Sequence, residues 1–322
     1  MKSTTRLMFA PFALLIAGSP AAQTNYPEKP IRIVVPVPPG SQPDAVARLL
    51  GQKFAEASAK PVLIDNVPGA AGNIAADRVA KAAPDGYTLG LLAQTQLVIN
   101  PSLYKLAHDP LKDFAPVSQV IASTNMLVVH NAVPAKSVKE LVALAKAQPG
   151  GLTFASAGSG SPHHMAAELL KSMAGLDLRH IPYKGGVAAM PDLLGGRVTM
   201  MFSPISLVLP VVREGKLRAL AVTSLRRSSA APDLPTIAES GYPGFELTGW
   251  LGLVAPARTP ETIVRKLHLE AVKTLSLADV RAKLADLALE TIGNSPEEFA
   301  AAMRSEIPKW AKVIKESGAK PD

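Results

Sequence analysis

The chain has 322 residues, 48% of them hydrophobic and 19% charged, with no cysteine. This describes a globular protein with ample core and a length of about two ordinary domains, and it excludes a disulfide framework, a thiolate metal site and a lipidated cysteine. The formal charge of +8 comes from dispersed basic residues with few aromatics, which argues against nucleic acid as a partner and for a surface that concentrates small anions.

The N-terminus places Lys2 and Arg6 before an apolar run from Leu7 to Ala17, then small residues from Ser19 to Ala22. The run is too short to span a bilayer and contains Pro11, so residues 1–22 read as a secretory signal, with Ser19 and Ala21 at the −3 and −1 positions of a cleavage site near Ala21-Ala22. The mature chain is expected to be exported, and it loses the charges of Lys2 and Arg6, leaving +6.

Strands and helices then alternate. IRIVV (31–35) is a strand, followed by a helix with Val46, Leu49, Leu50 and Phe54 on one face. PVLID (61–65) and YTLGLLA (87–93) are strands on either side of a helix around 71–82. Strands at 126–130, 152–156, 178–182, 198–202 and 217–224 alternate with helices near 136–147, 162–174, 186–194 and 204–213. A long strand-like run at 244–256 precedes helices at 260–276, 278–285 and 296–317, the last opened by a capping signal, Ser295 with Glu298. Such continuously apolar strands imply mostly parallel sheets covered by helices on both faces.

Two such units predict an α/β fold of two lobes. Strands near 116–130 and 244–256 serve as crossovers, giving lobe 1 over 23–125 plus 250–322 and lobe 2 over 126–249.

Ligands of open α/β sheets sit outside the carboxyl ends of strands, where loops enter helices. Two junctions read alike. Pro36–Asp44 has Ser41 and Asp44 at capping-box spacing with Pro43 in the first turn; Ala155–His164 has Ser161 as N-cap and Pro162 at the first helical position. Ser203-Pro204 marks a third strand end. Each leaves backbone N–H groups at the positive end of a helix, which suits a carboxylate, phosphate or sulfate held from both lobes.

Rival chemistries lack their signatures. Neither Gly-rich loop contains the lysine of a phosphate-binding loop, and GSGSPHH lacks the third glycine of a dinucleotide fingerprint. His163 and His164 point about 100° apart on a helix, with no acidic or histidine partner at i+4 in a recognisable ligand motif, so no metal is expected. A serine hydrolase using Ser159 or Ser161 with His164 is the main alternative, but G-x-S-x-G is absent. Asp44, Asp65, Asp85 and Asp192 fit caps, turns and solvated positions better than general acids, while Tyr183 fits a cleft wall and a partly buried edge tyrosine equally.

Motifs in fixed order then carry a family resemblance: YPEKPIRIVVP, NVPGAAGNIAADRVAKAAPDGYTL, INPSLY, KDFAPVSQV, HIPYKGG, DLLGGRV, PTIAESGYPGFE and GLVAPARTP. From about Tyr26 to Asp322 the chain resembles the Bug family, the periplasmic solute receptors of tripartite tricarboxylate transporters. The resemblance implies a two-lobed, Venus-flytrap receptor without catalysis or cofactor. It also implies a monomer whose partners are a small organic anion and membrane permease subunits, with a signalling partner as the alternative to the permease.

The family's carboxylate pincer falls here on Pro36–Asp44 and Ser156–His164, matching at Pro38, Gly40, Asp44, Ser156, Gly158, Gly160 and His164. Val37, Ser41, Gln42 and Pro43 depart from the family's aromatic, two glycines and threonine; Gln96-Leu97 replaces a Thr-His pair; and Ser203-Pro204 replaces Asp-Asn. The implied ligand-binding set is Val37, Pro38, Pro39, Gly40, Ser41, Gln42, Asp44, Gln94, Thr95, Ser156, Ala157, Gly158, Ser159, Gly160, Ser161, His164, Tyr183 and Ser203. Without an aspartate at 203 to pair with an ammonium group, the expected ligand is an amine-free aliphatic dicarboxylate or an aromatic acid.

Overall fold

A computed structural model describes residues 25–321, so the signal expected over 1–22 lies outside the described residues. The first unit runs β1 (Ile31–Val35), α1 (Gln42–Ser58), β2 (Val62–Asn66), α2 (Asn73–Ala80), β3 (Thr88–Ala93) and the short α3 (Asn100–Leu103). β4 (Phe114–His130) leads to the second unit: α4 (Val138–Ala147), β5 (Thr153–Ser156), α5 (Pro162–Ala174), β6 (Arg179–Pro182), α6 (Gly186–Leu194), β7 (Met200–Pro204), α7 (Ile205–Arg213) and β8 (Leu217–Val222). β9 (Thr248–Pro256) returns to α8 (Glu261–Ser276), α9 (Ala278–Asp286), β10 (Leu289–Thr291) and α10 (Pro296–Ser317).

Strand order is β2-β1-β3-β9-β4-β7-β5-β6, with β8 and β10 also pairing β4. The steps β2–β1–β3 and β7–β5–β6 are parallel, as the βαβ pattern demands; the pairings of β4 and β9 are antiparallel. One 17-residue strand therefore serves both lobes. Residues 114–124 of β4 pair with β9 and β10, whereas 125–130 pair with β7 and β8. Register shifts along β4 let one strand follow both sheets, because a bulge bends a strand and sharpens its twist.

The strands read as unbroken apolar runs because both faces are covered. In β1, Ile31, Ile33 and Val35 join the core beneath α1 and α8, and Val34 joins the opposite one. That opposite core is continuous across the molecule: Val79 and Leu92 share it with Phe154, Met165 and Phe202, and with Phe299 and Trp310 of α10. α10 accordingly packs against α5 as well as β4, and Ser172 Oγ donates to Glu316 at 2.9 Å. A third core, around Met126, Met201 and Val208, fills the space under α6 and α7.

Candidate functional site

At the first junction Ser41 is the N-cap of α1, but the predicted capping box is not made. Ser41 Oγ instead donates to the Pro38 carbonyl at 2.8 Å, folding the loop back on itself. Asp44, only 2% exposed, turns its carboxylate inward. It accepts from the Gly40 N–H (2.9 Å), Arg48 Nε (2.9 Å) and Asn66 Nδ2 (2.9 Å), and Asn66 also donates to the Val37 carbonyl (3.1 Å). Burial alone would raise this carboxyl, yet the bonds from Arg48, Gly40 and Asn66 outweigh it and hold its pKa below 3.8. Asp44 is thus an internal brace, and Val37, Pro38, Pro39, Gly40, Ser41 and Gln42 form the loop that it holds. Gly40 has φ +81°, a conformation that an L side chain rarely adopts.

At the second junction the capping chemistry holds. Ser161 caps α5 by accepting from the His164 N–H at 3.3 Å, with Pro162 in the first turn. Ser161 Oγ and N–H both donate to the Gly158 carbonyl, the Gly158 N–H donates to Ser156 Oγ, and the Gly160 N–H donates to His164 Nδ1 at 3.1 Å. Because Nδ1 accepts, a neutral His164 carries its proton on Nε2, which faces Glu168 Oε1 at 3.4 Å. Glu168 stands at i+4 from His164, so a partner exists there after all, and Lys171 pairs with it at 2.9 Å. Burial opposes the charge on Glu168, but His164 and Lys171 more than offset it and keep the carboxyl low.

Beneath the loop, the His164 and His180 rings stack at 4.0 Å and 7°, with Phe154 next at 4.8 Å from His180. Ser156 Oγ lies 2.6 Å from His180 Nε2. Loop 156–161 therefore rests on an aromatic platform. The geometry also argues against Ser161 as a nucleophile with His164, since Ser161 Oγ is a helix cap and both His164 nitrogens face other groups. His163 is buried against Gly186, and burial lowers its pKa to about 4, so it stays neutral.

The two junctions are linked through the turn after β3. Residues Thr95–Ile99 form a π-helical turn, not foreseen in the sequence and of a kind often found at functional sites. Gln96 Nε2 and Asn100 Nδ2 both donate to the Ala71 carbonyl, at 2.8 and 3.2 Å. A Cβ on Gly72 would lie 2.9 Å from Pro36 at the first junction. A Cβ on Gly160 would lie 2.6 Å from Leu103 Cδ1 and 3.6 Å from Asn100 Oδ1. One polar turn thus bonds the 71–72 segment that packs beside Pro36 and lies next to Gly160 of the second loop.

Gln94, Thr95, Tyr183 and Ser203 lie outside the two loops. Gln94 turns away from this turn and donates to Glu306 of α10 at 2.6 Å, while Thr95 begins the turn and is half-buried. Tyr183 is half-buried and its hydroxyl donates to Asp192 at 2.7 Å; Asp192 also pairs with Arg197, so it is less solvated than its sequence context suggested. Ser203 is no cap: it lies inside β7, fully buried, and Pro204 takes the cap position. Among the described residues its Oγ has no hydrogen-bond partner, so this buried hydroxyl calls for a water or a ligand. Ala157 and Ser159 are half-buried in the second loop.

A two-lobed α/β fold with crossover strands, and backbone-rich turns at helix N-termini in each lobe, defines the class of periplasmic binding proteins. The family model of the tripartite tricarboxylate transporter family receptor matches residues 46–319. BugT of Bordetella pertussis is 37% identical over 306 residues, covering 94% of each chain. Among solved structures, R. palustris Rpa4515 with adipate superposes with a TM-score of 0.82 at 34% identity, over 92% of this chain and 100% of that one. MatC from Rhodopseudomonas palustris with bound malate gives 0.78 at 34% identity, over 90% and 100%. The chain belongs to the tripartite tricarboxylate transporter receptor family, which is a family of solute-binding receptors and not an enzyme class. No helix among the described residues is long and apolar enough to cross a membrane.

Proposed function

We propose that this protein is exported to the periplasm, captures an amine-free organic carboxylate between two lobes, and delivers it to the permease subunits of a tripartite transporter. The observation that carries the reading is that the 95–100 turn bonds the segment packed on Pro36, where the loop into α1 begins, and also lies beside Gly160 of the loop into α5. Each of these helices offers first-turn N–H groups without intrahelical partners and the positive end of a helix dipole. Adipate and malate in two relatives support a carboxylate as the ligand class. The change of pairing along β4 near Thr124 supports lobe boundaries close to 125/126 and 249/250. In this reading loops 36–43 and 156–161, His164 and Ser203 line the cleft, and Asp44 and Gln94 act from behind it. The ligand joins the open form and stabilises closure to the extent that it binds the closed form better.

The test is a thermal-shift screen of protein taken from the periplasmic fraction, against adipate, malate, benzoate, citrate and aspartate. A ligand at a hundred times its dissociation constant adds about 2.7 kcal/mol of stability. Stabilisation by malate but not by aspartate, which replaces the hydroxyl by an ammonium group, is the expected result. Stabilisation by aspartate alone would sink the amine-free reading, and a flat screen would sink carboxylate capture.

A further inference from the structure

Behind the turn that joins the two loops lies a cavity of about 500 Å³, lined among others by Gln94, Trp250, Glu306, Lys309 and Trp310. Glu306 is its organising group. Its carboxylate accepts from Gln94 Nε2 at 2.6 Å, Trp250 Nε1 at 3.0 Å and Trp310 Nε1 at 3.3 Å. All three donors are uncharged, and Gln94 and Trp250 come from segments far from α10 in sequence. A carboxylate is the one side chain that can accept several N–H groups on two oxygens at once, and bonds to a charged acceptor are the stronger kind.

The two tethered segments are the ones that approach the anion-binding loops. Gln94 directly precedes the turn that bonds the 71–72 segment beside Pro36 and that, with Asn100, flanks Gly160 of loop 156–161. Trp250 follows Gly249, where a Cβ would stand 3.8 Å from Pro162 at the start of α5. A single carboxylate on α10 therefore fixes the turn beside both loops and the crossover beside the second helix, without itself belonging to either.

We propose that Glu306 is a positioning residue for anion capture: acting through Gln94 and Trp250, it sets the spacing of the two helix N-termini that grip the carboxylate. This rests on the capture reading above. It predicts that closure around a ligand is felt at Glu306, and that loosening Glu306 weakens capture more than it weakens the fold.

The chain has two tryptophans, and both donate to this carboxylate, so indole emission reports on it directly. The experiment titrates wild type, Glu306→Gln, Gln94→Met and the double variant with adipate and with malate, by calorimetry and tryptophan emission, with circular dichroism as the control for folding. In Glu306→Gln one oxygen remains and an NH₂ group confronts a donor. Gln94→Met cuts the same tether from the other end, and serves if the first variant fails to fold. The expected result is an emission change when wild type binds its ligand, about tenfold weaker binding in each single variant through faster dissociation, and a double variant no worse than either single one. Unchanged affinity in a folded Glu306→Gln or Gln94→Met protein overturns the proposal, as does wild-type binding seen by calorimetry with no change in emission. Wild type that binds no carboxylate in the wider screen overturns the capture reading itself, a separate failure that the variants play no part in.

Discussion

Ser203 and Asp44 show how two buried polar residues, one inside β7 and one in the first turn of α1, do opposite work. Ser203 Oγ finds no partner among the described residues, so Ser203→Ala removes an unsatisfied group and should leave the free protein as stable or up to about 1 kcal/mol more stable. If that hydroxyl serves the ligand, the same change weakens carboxylate binding; urea unfolding and calorimetry separate the two effects. Asp44 is fully engaged, and Asp44→Asn should cost about 1–3 kcal/mol by weakening its bonds to Arg48 and the Gly40 N–H. Its folded pKa lies below the unfolded one, so its contribution is complete above the unfolded value and fades as pH falls through the folded value, below 3.8. The stability gap between wild type and Asp44→Asn should therefore be widest near neutrality and close in acid, as melting curves across that window would show. A gap that widens in acid would mean that Asp44 is not held as a carboxylate. The sequence exposed Ser161 and Pro162 as a helix start, because a cap acts within three residues. The capping-box spacing of Ser41 and Asp44 did not yield a box, since Arg48 and Asn66 compete for the carboxylate and Asn66 reaches it only through the β1–β2 pairing.

At the level of elements, regular strands and helices were legible because their periodicity follows from burial. β1, α5, α6 and α10 fall on the residues that the pattern indicated, and β2 and β7 shift by one or two. What stayed hidden has no local signature. The π-helical turn 95–99 arises from tertiary bonds of Gln96 and Asn100 to the Ala71 carbonyl, and the three-residue β10 exists because β4 offers it an edge. α10 shows a local signal with a distant effect. Its capping box, with Ser295 Oγ accepting from the Glu298 N–H at 3.1 Å and Glu298 accepting from the Ser295 N–H at 2.8 Å, was foreseen from spacing alone. Ser295→Ala should cost about 1 kcal/mol in urea unfolding. It should also speed amide exchange in the first turn of α10, next to Phe299, which packs edge-on against Trp250 at 5.3 Å.

Over the whole molecule, the same 17 residues of β4 complete two sheets, and α10 lies in a core continuous from one to the other. The shared strand has a consequence for how the chain acquires its structure. Neither sheet reaches its native hydrogen-bonding complement until β4 is in place, and β9, its neighbour, arrives only after about 120 further residues have been made. The first half of the chain must wait, partly assembled, for the second. Heating should accordingly melt the protein in one transition, with the enthalpy measured calorimetrically equal to that inferred from the steepness of the curve. Two resolved transitions would mean that the sheets are energetically separate despite sharing a strand. A single transition would make the molecule one folding unit built from two binding surfaces, in which a defect on either side is paid by both.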